Sequence, residues 1–517
     1  MKNRAIMSIA LIVALGGLLM GFDASVISGV VKFIEPEFEL TKLELGWSVA
    51  SLTLTSTLAM MIAGPISDKH GRRTVLRWAA ILYAISAIGS ALAPTFLLLV
   101  IARMIGGFGV GASLILAPMY IAEISPKELR GRLVSFNQLN IVIGISLAFF
   151  TNYAILQYAQ TDYSWAKSLG IDQHQWRWML GLETIPAVLY YLGLFFVPRS
   201  PRWCLMHENI SEAEAVLARF NEPEKARNEI DRITKAISED VDKSEGSFKD
   251  LFKPAMRLVI TIGIVVAILQ QITGINSVFF YAPMIFEQSG LGTDTSFMQA
   301  ILVGLVNLLF TILAILFIDR LGRKPLLTFG VAGIVLSMFV LAYGFSSATY
   351  SLDSSDLAIF EEALPALYDL EGQIFNSEAS FQSAVEALEN GASFFTEQKP
   401  ALLKASINLN TILILAAILA FVASFAISIG PVMWVLFSEL FPNKIRGIAI
   451  SFVGLINSAV SFLVQWIFPW ELEVLGSSMT FFIYGLFALA GLIFIVRVIP
   501  ETKGVSLEEL EKKLVKS

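Results

Sequence analysis

Asp23 and Arg103 are the charged side chains that lie deepest inside long apolar runs of this chain. A charge at such depth in a bilayer costs roughly 3 kcal/mol or more, so it marks a task or a partner. If the N-terminus is on the inner side, the first run ends outward near Val31. Asp23 then lies about 8 residues, roughly 12 Å, below that end. The fourth run enters from about Phe96, which puts Arg103 about 7 residues, roughly 10 Å, below the same face. The two are level and can pair. A guanidinium favours the ionised carboxylate, whereas desolvation favours the acid. Access from alternating sides would therefore let Asp23 take up and release a proton under the control of Arg103. A purely structural bridge is the other reading of the pair.

A second set of residues is polar but uncharged. Gln270, Gln271 and Asn276 lie in one apolar run, with Gln138, Asn307 and Asn457 in three others. Each carboxamide donates and accepts hydrogen bonds, which is what a polyhydroxy ligand needs, because every hydroxyl also does both. Any one of them alone could serve as interhelical glue. Trp434, beside a Gly430-Pro431 break, offers a flat apolar surface for the C–H face of a pyranose. Arg103 is the only strongly basic residue deep in the spans, so a neutral substrate fits better than an organic anion. No P-loop is present, which excludes pumping driven by ATP hydrolysis at the level of motifs. His70, His174 and His207 fall in loops, and no metal-ligand spacing appears. Neither an enzyme nor a bound cofactor is expected, the proton being the coupling ion.

The elements that must position these residues follow from composition. Of 517 residues, 56% are hydrophobic and 15% charged, with a mean hydropathy of +0.69. Soluble domains carry about 45–50% apolar and about 25% charged residues, so the chain is an integral membrane protein. The single Cys204 excludes an internal disulfide framework, and a net charge of −6 argues against a nucleic-acid partner. The apolar run after Met1-Lys2-Asn3-Arg4 is too long for a cleaved signal peptide.

Twelve apolar runs lie at about 6–31, 46–66, 75–93, 96–121, 134–156, 179–197, 258–285, 297–318, 326–346, 407–437, 448–469 and 478–498. The expected fold is an all-α membrane protein of 12 transmembrane helices in two six-helix halves, residues 1–198 and 254–503. Residues 199–253 form a cytoplasmic linker of short amphipathic helices, and 504–517 a cytoplasmic tail. Basic connectors carrying Lys69, Arg72, Arg73, Lys127, Arg130, Arg132, Arg320, Arg323, Lys324, Lys444 and Arg446 share one side. The positive-inside rule makes that side cytoplasmic, together with both termini. The opposite face is acidic, chiefly through an insertion at 349–406 with ten Asp/Glu and two Lys. Its apolar spacing suggests amphipathic helices in a small extracellular cap.

The halves repeat each other. Asp68-Lys-His-Gly-Arg-Arg73 matches Asp319-Arg-Leu-Gly-Arg-Lys324, and Glu123…Arg130 matches Glu439…Arg446. Pro198-Arg-Ser-Pro-Arg202 matches Pro500-Glu-Thr-Lys-Gly504. Three signatures in one order indicate duplication, and parallel six-span repeats place a carrier's site between the halves.

With Gly21–Gly29, Tyr120–Glu123, Arg130-Gly-Arg132, Gln270-Gln-Ile-Thr-Gly-Ile-Asn276 and Gly430-Pro-Val-Met-Trp434 added, the chain resembles the sugar porters of the major facilitator superfamily, nearest to bacterial xylose–proton symporters. The likeness covers nearly everything except 349–406. It implies a secondary transporter that imports a neutral monosaccharide with a proton, by alternating access. It also implies that Asp23 and Arg103 couple the proton, and that Gln138, Gln270, Gln271, Asn276, Asn307, Trp434 and Asn457 contact sugar. Facilitative members lack the Asp.

Departures from the family pattern are Ile145 for a Gln, Phe280 for a Tyr, Ser458 for a Trp and Arg199 for a Glu. They leave pentose and hexose both open. Asp68 with Arg72 or Arg73, Glu123 with Arg130, Glu183 with the basic loops, and Glu439 with Arg446 are expected to pair and clamp the cytoplasmic gate. Asp319 and Arg323 belong to the same network. The alternatives are a facilitative uniporter, a sugar-sensing transceptor and a drug or organic-acid exchanger. A monomer in the plasma (inner) membrane is expected.

Overall fold

The computed structural model describes residues 2–126, 129–220, 223–242, 248–360, 364–442, 445–503, 505 and 509. Lys127, Lys444, linker residues 243–247 and most of the tail 504–517 lie outside the described residues, as do the side chains of Arg130 and Asp319.

Eleven helical segments are long and apolar enough to cross a membrane. The sixth span makes twelve, but in two pieces, Gln175–Gly181 and Thr184–Gly193. Pro186 explains the interruption. It has no N–H to give the Leu182 carbonyl, although Leu182 and Glu183 keep right-handed helical dihedrals. The spans form the two six-helix halves of the major facilitator fold.

Two boundaries differ from the sequence reading. The first span continues past Val31 to Glu37, because Lys32 and Glu35 each find an ion-pair partner at the membrane edge. The tenth begins at Thr411, not 407. Ile407–Asn408 instead pairs antiparallel with Thr349–Tyr350, closing the neck of the insertion. Beyond that neck, the helices Ser354–Phe360, Glu378–Glu386 and Gly391–Ser406 enclose a separate small core around Leu367, Phe381, Val385 and Leu402.

Two spans break where the site needs them to. In the seventh, Gly274 takes φ +84° between helices Arg257–Ile272 and Ile275–Glu287. A side chain there would be strained by that angle and would also strike the Tyr484 ring. In the tenth, the break falls at Ser428 (φ −122°, ψ −102°), between Thr411–Ile427 and Ile429–Leu440. Pro431 lies four residues past Ile427 and cannot donate to its carbonyl, so the break precedes the Gly-Pro pair instead of falling on it.

The contacts joining the halves gather at the end that carries the insertion. Lys32 pairs with Glu287 and reaches Thr293, Trp466 Nε1 donates to Leu43 O at 3.1 Å, and Gln160 Nε2 donates to Asp294 Oδ1 at 2.7 Å. Gly46 lies so close to the second half that a Cβ would stand 1.9 Å from Trp466 O. Replacing Gly46 with Val should therefore keep the halves from meeting there, at a cost of about 1–3 kcal/mol. Uptake is then expected to fall by about ten-fold, while a sugar added from that end still binds. Transport assays and binding titrations on the same preparation would show the difference.

At the basic-loop end the ion pairs of the described residues stay within each half, and they repeat. Arg72 contacts Asp68 at 2.6 Å and Glu123 at 3.2 Å, and Ser200 Oγ donates to Glu123. In the second half, Arg323 contacts Glu439 at 2.9 Å, and Thr502 Oγ1 donates to Glu439 at 2.6 Å. Asp68 thus takes Arg72 as the sequence suggested, while the same Arg72 also meets Glu123, and Glu439 takes Arg323 in place of Arg446. Arg446 Nε turns to Phe441 O at 3.0 Å, and Arg73 to Val197 O at 3.0 Å. Each acidic partner faces a neighbouring span's N-terminus, so sequence spacing across a loop did not decide the match.

Glu501 completes the latch in the second half. It accepts from the N–H groups of Arg323 and Lys324 at 3.0 and 3.1 Å, at the exposed N-terminus of the ninth span. Burial disfavours its charge, but backbone donors including Lys503, Arg323, Lys324 and Thr502 outweigh that and hold its carboxyl below the usual glutamate range. A lowered folded value means stability that is full above the ordinary glutamate pKa and lost as pH falls through the lowered one. A Glu501→Gln variant should accordingly melt at a lower temperature at neutral pH, and the gap from wild type should close as acid protonates Glu501. Thermal unfolding in detergent across pH checks this.

Candidate functional site

Asp23 and Arg103 come together, each 1–2% exposed. Arg103 Nη1 lies 3.5 Å from Asp23 Oδ1, and Arg103 Nε donates to Ser48 O at 2.9 Å. Asp23 Oδ2 has no protein partner. Buried polar atoms are nearly always satisfied, so an orphaned carboxylate oxygen beside a guanidinium is a feature requiring explanation.

Glu183 joins this pair, contrary to the sequence reading that sent it to the basic loops. It is 2% exposed, lies within electrostatic reach of both Asp23 and Arg103, and its Oε1 is unpaired. Its place in the interrupted sixth span faces it into the first half. The cluster therefore has two carboxylates and one guanidinium. The same signal that picked out Asp23, a charge within an apolar run, was available for Glu183.

The seventh-span carboxamides form one network with the eleventh span. Gln271 Nε2 donates to Gln270 Oε1 at 3.2 Å and to Asn457 Oδ1 at 3.1 Å. Asn457 Nδ2 donates to Gln270 Oε1 at 2.8 Å and to Ala267 O at 2.9 Å. Asn276, beyond the Gly274 break, donates to Gln271 Oε1 and to Ser461 Oγ, both at 2.7 Å. Gln270 Nε2 also reaches the Gly430 carbonyl at 3.3 Å, beside the break in the tenth span. Both breaks thus bring polar groups to one place near the middle of the second half.

Gln465 belongs to the network and escaped the sequence reading. Its Nε2 donates to Ser461 Oγ at 2.7 Å, and its Oε1 accepts from Thr53 Oγ1 of the first half at 2.8 Å. The signal was there: Asn457, Ser461 and Gln465 are spaced four apart and share one helix face. Tyr281 Oη also donates to Gln465 O, at 3.0 Å.

The remaining candidates make no hydrogen bond to this network among the described residues. Asn307 is buried in the eighth span, while Gln138 is exposed on the fifth. Trp434 is 47% exposed and edge-on to Phe437 at 6.0 Å.

A contiguous path joins the two clusters. Ser48 and Thr53 lie on the second span, one holding Arg103 through its carbonyl, the other holding Gln465 through its hydroxyl. From Asp23 the path runs through Arg103, the second span, Gln465 and Ser461 to Asn276.

Comparison with known proteins agrees with this architecture. The family model described as "Sugar (and other) transporter" matches residues 9–359 and 391–514. The intervening residues, 360–390, fall within the insertion. The arabinose–proton symporter of Bacillus subtilis is 33% identical over 97% of this chain and 93% of its own. The D-xylose–proton symporter of Escherichia coli is 34% identical over 99% and 96%. Among solved structures, the inward-open form of the E. coli xylose transporter superposes with a TM-score of 0.75 at 32% identity, covering 98% of this chain and 100% of the other. The form bound to 6-bromo-6-deoxy-D-glucose scores 0.69 at 32% identity, covering 99% and 100%. This chain is a multi-pass membrane transporter of the sugar porter family, within the major facilitator superfamily.

Proposed function

We propose that the protein imports a neutral monosaccharide together with a proton, by rocking its two halves about a central site. The observation that carries this reading is the path from the Asp23–Arg103–Glu183 cluster to the carboxamides. A proton and a sugar can then each bias the same element, the second span, which a coupled carrier requires. Relatives similar along nearly the whole chain are named as arabinose–proton and D-xylose–proton symporters.

In this scheme Asp23 carries the proton. When it is ionised it holds Arg103. When it is protonated it releases Arg103 from the pair, and Glu183 is placed to take the guanidinium. Gln270, Gln271, Asn276 and Asn457 already bond to one another, so sugar hydroxyls can replace those bonds one for one, and little desolvation is left uncompensated. Gln138, Asn307 and Trp434 complete the pocket when the first half closes over it. The basic-loop end is cytoplasmic, with both termini there, in the plasma membrane. Contacts gathered at the opposite end support an inward-facing state, as does superposition on inward-open forms of the E. coli xylose transporter with TM-scores of 0.74 and 0.75. The latches of Asp68, Arg72 and Glu123, and of Arg323 and Glu439, steady each half's cytoplasmic end, and with Arg73, Arg130, Asp319 and Arg446 of the same loops they supply the charges that meet when that gate shuts. One chain contains the whole path, so a monomer suffices.

A pH electrode tests the coupling. Adding a transported monosaccharide to a lightly buffered suspension of cells expressing the protein should raise external pH as protons enter. Sugar entry without alkalinisation would make the protein a facilitator.

A further inference from the structure

Near the basic-loop end, a cavity of about 280 Å³ lies between the end of the sixth span and the linker helix Ile210–Phe220. Arg73, Arg199 and Arg219 line it against a single acid, Glu212. Arg77 stands immediately behind, its guanidinium 4.1 Å from the Phe195 ring, and feels the charges of both Arg73 and Arg199. Arg199 reaches Glu212 at 3.2 Å, and Arg219 has no ion pair among the described residues. The Nε atoms of Arg73 and Arg77 are buried without a partner. Among the described residues lining the cavity, three guanidinium groups face one carboxylate, and Arg77 behind them adds a fourth positive charge.

The internal repeat shows how this excess arises. In the second half, Glu501 of Pro500-Glu-Thr-Lys caps the ninth span. At the equivalent place in Pro198-Arg-Ser-Pro, the first half has Arg199, which lies over Trp203 at 5.4 Å instead. The third span, whose N-cap is Gly71, has no side-chain cap. The exchange changes the local charge by two units. Phe195 and Phe196, also lining the cavity, are 52% and 79% exposed and continue the lipid-facing surface of the sixth span.

We propose that this cavity binds a phosphate group, held by Arg73, Arg199 and Arg219, with Arg77 supporting it. Guanidinium forks match phosphate oxygens in geometry and charge. The apolar rim favours the phosphate of an anionic lipid headgroup, which brings no ammonium group to face the guanidinium groups as phosphatidylcholine does, with soluble phosphate as the other source of the same chemistry. A bound phosphate would pin the linker helix to the first half.

The test uses the full chain, purified in detergent and stripped of lipid. Phosphatidylglycerol, phosphatidylcholine and inorganic phosphate are titrated separately, with adducts read by native mass spectrometry and stability by melting temperature. Phosphatidylglycerol should bind at about ten-fold lower concentration than phosphatidylcholine. The Arg199→Gln/Arg219→Gln double variant should lose that preference, and Arg320→Gln, distant from the cavity, should keep it. Both substituted residues are exposed, so the double variant should melt as wild type does in phosphatidylcholine. If it does not, Arg199→Lys with Arg219→Lys, which retains the charge, must retain the preference. Inorganic phosphate that stabilises the wild type, but not the double variant, and displaces phosphatidylglycerol would identify soluble phosphate as the source. Equal binding of the two lipids with no effect of phosphate would overturn the proposal, as would a preference that survives the double Gln variant.

Discussion

An Asp23→Asn variant will lose uphill sugar accumulation while still exchanging labelled sugar across the membrane. Asparagine keeps the shape and can still meet Arg103, but it cannot bind and release a proton at this site. Wild-type accumulation is bounded by the proton gradient. A gradient worth about 2.8 kcal/mol supports roughly a hundred-fold concentration ratio, and the variant should show a ratio near one. Exchange should fall far less, because it needs only that the loaded carrier reorient. Parallel assays of counterflow and of gradient-driven uptake separate these. If Asp23→Asn still accumulated sugar, the carboxylate would be a structural bridge.

The second large effect is expected at Gln271. Its amide donates to two carboxamides and its oxygen accepts from a third. Truncation to Ala takes the donor from Asn457 Oδ1, takes one of two partners from Gln270 Oε1 and Asn276 Nδ2, and removes a group placed to meet a sugar hydroxyl. With about 1–3 kcal/mol for each buried group left unpaired, affinity should fall by about a hundred-fold or more. Gln465→Ala should behave differently. It lies on the path between the clusters, so sugar binding should weaken less than the coupling of sugar to proton. Binding by calorimetry, together with the number of protons moved per sugar, distinguishes the two variants. Loss of equal size in both quantities for Gln465→Ala would remove the second span from the path.

How much of this was legible in the sequence depends on the kind of feature. Span count and halves were legible because a bilayer demands about 20 apolar residues per crossing and because the repeat signatures recur in order. Asp23 and Arg103 stood out by cost alone. Pairings near the basic loops were legible only in part. Asp68 and Arg72, four apart, pair as their spacing suggested, but Arg72 also reaches Glu123 of another span, and no sequence spacing gives that contact. Glu183 was assigned by its charge sign to basic loops, when its apolar surroundings already placed it inside the membrane. The breaks at Gly274 and Ser428 depend on which backbone groups lose their partners. The first needs the positive φ of a glycine packed against Tyr484, and the second a proline three residues downstream. Gln465 was missed because it was weighed singly, and only its four-residue spacing from Ser461 and Asn457 reveals a shared face.

The central claim is that one carrier couples a monosaccharide to a proton. The most direct test is accumulation in proteoliposomes containing only this protein, with a panel of pentoses and hexoses and with the pH gradient imposed or absent. The account predicts that at least one monosaccharide concentrates inside when the outside is acidic, and only equilibrates when the gradient is collapsed. Entry that never exceeds equilibrium under the gradient, or no entry of any monosaccharide, would contradict it.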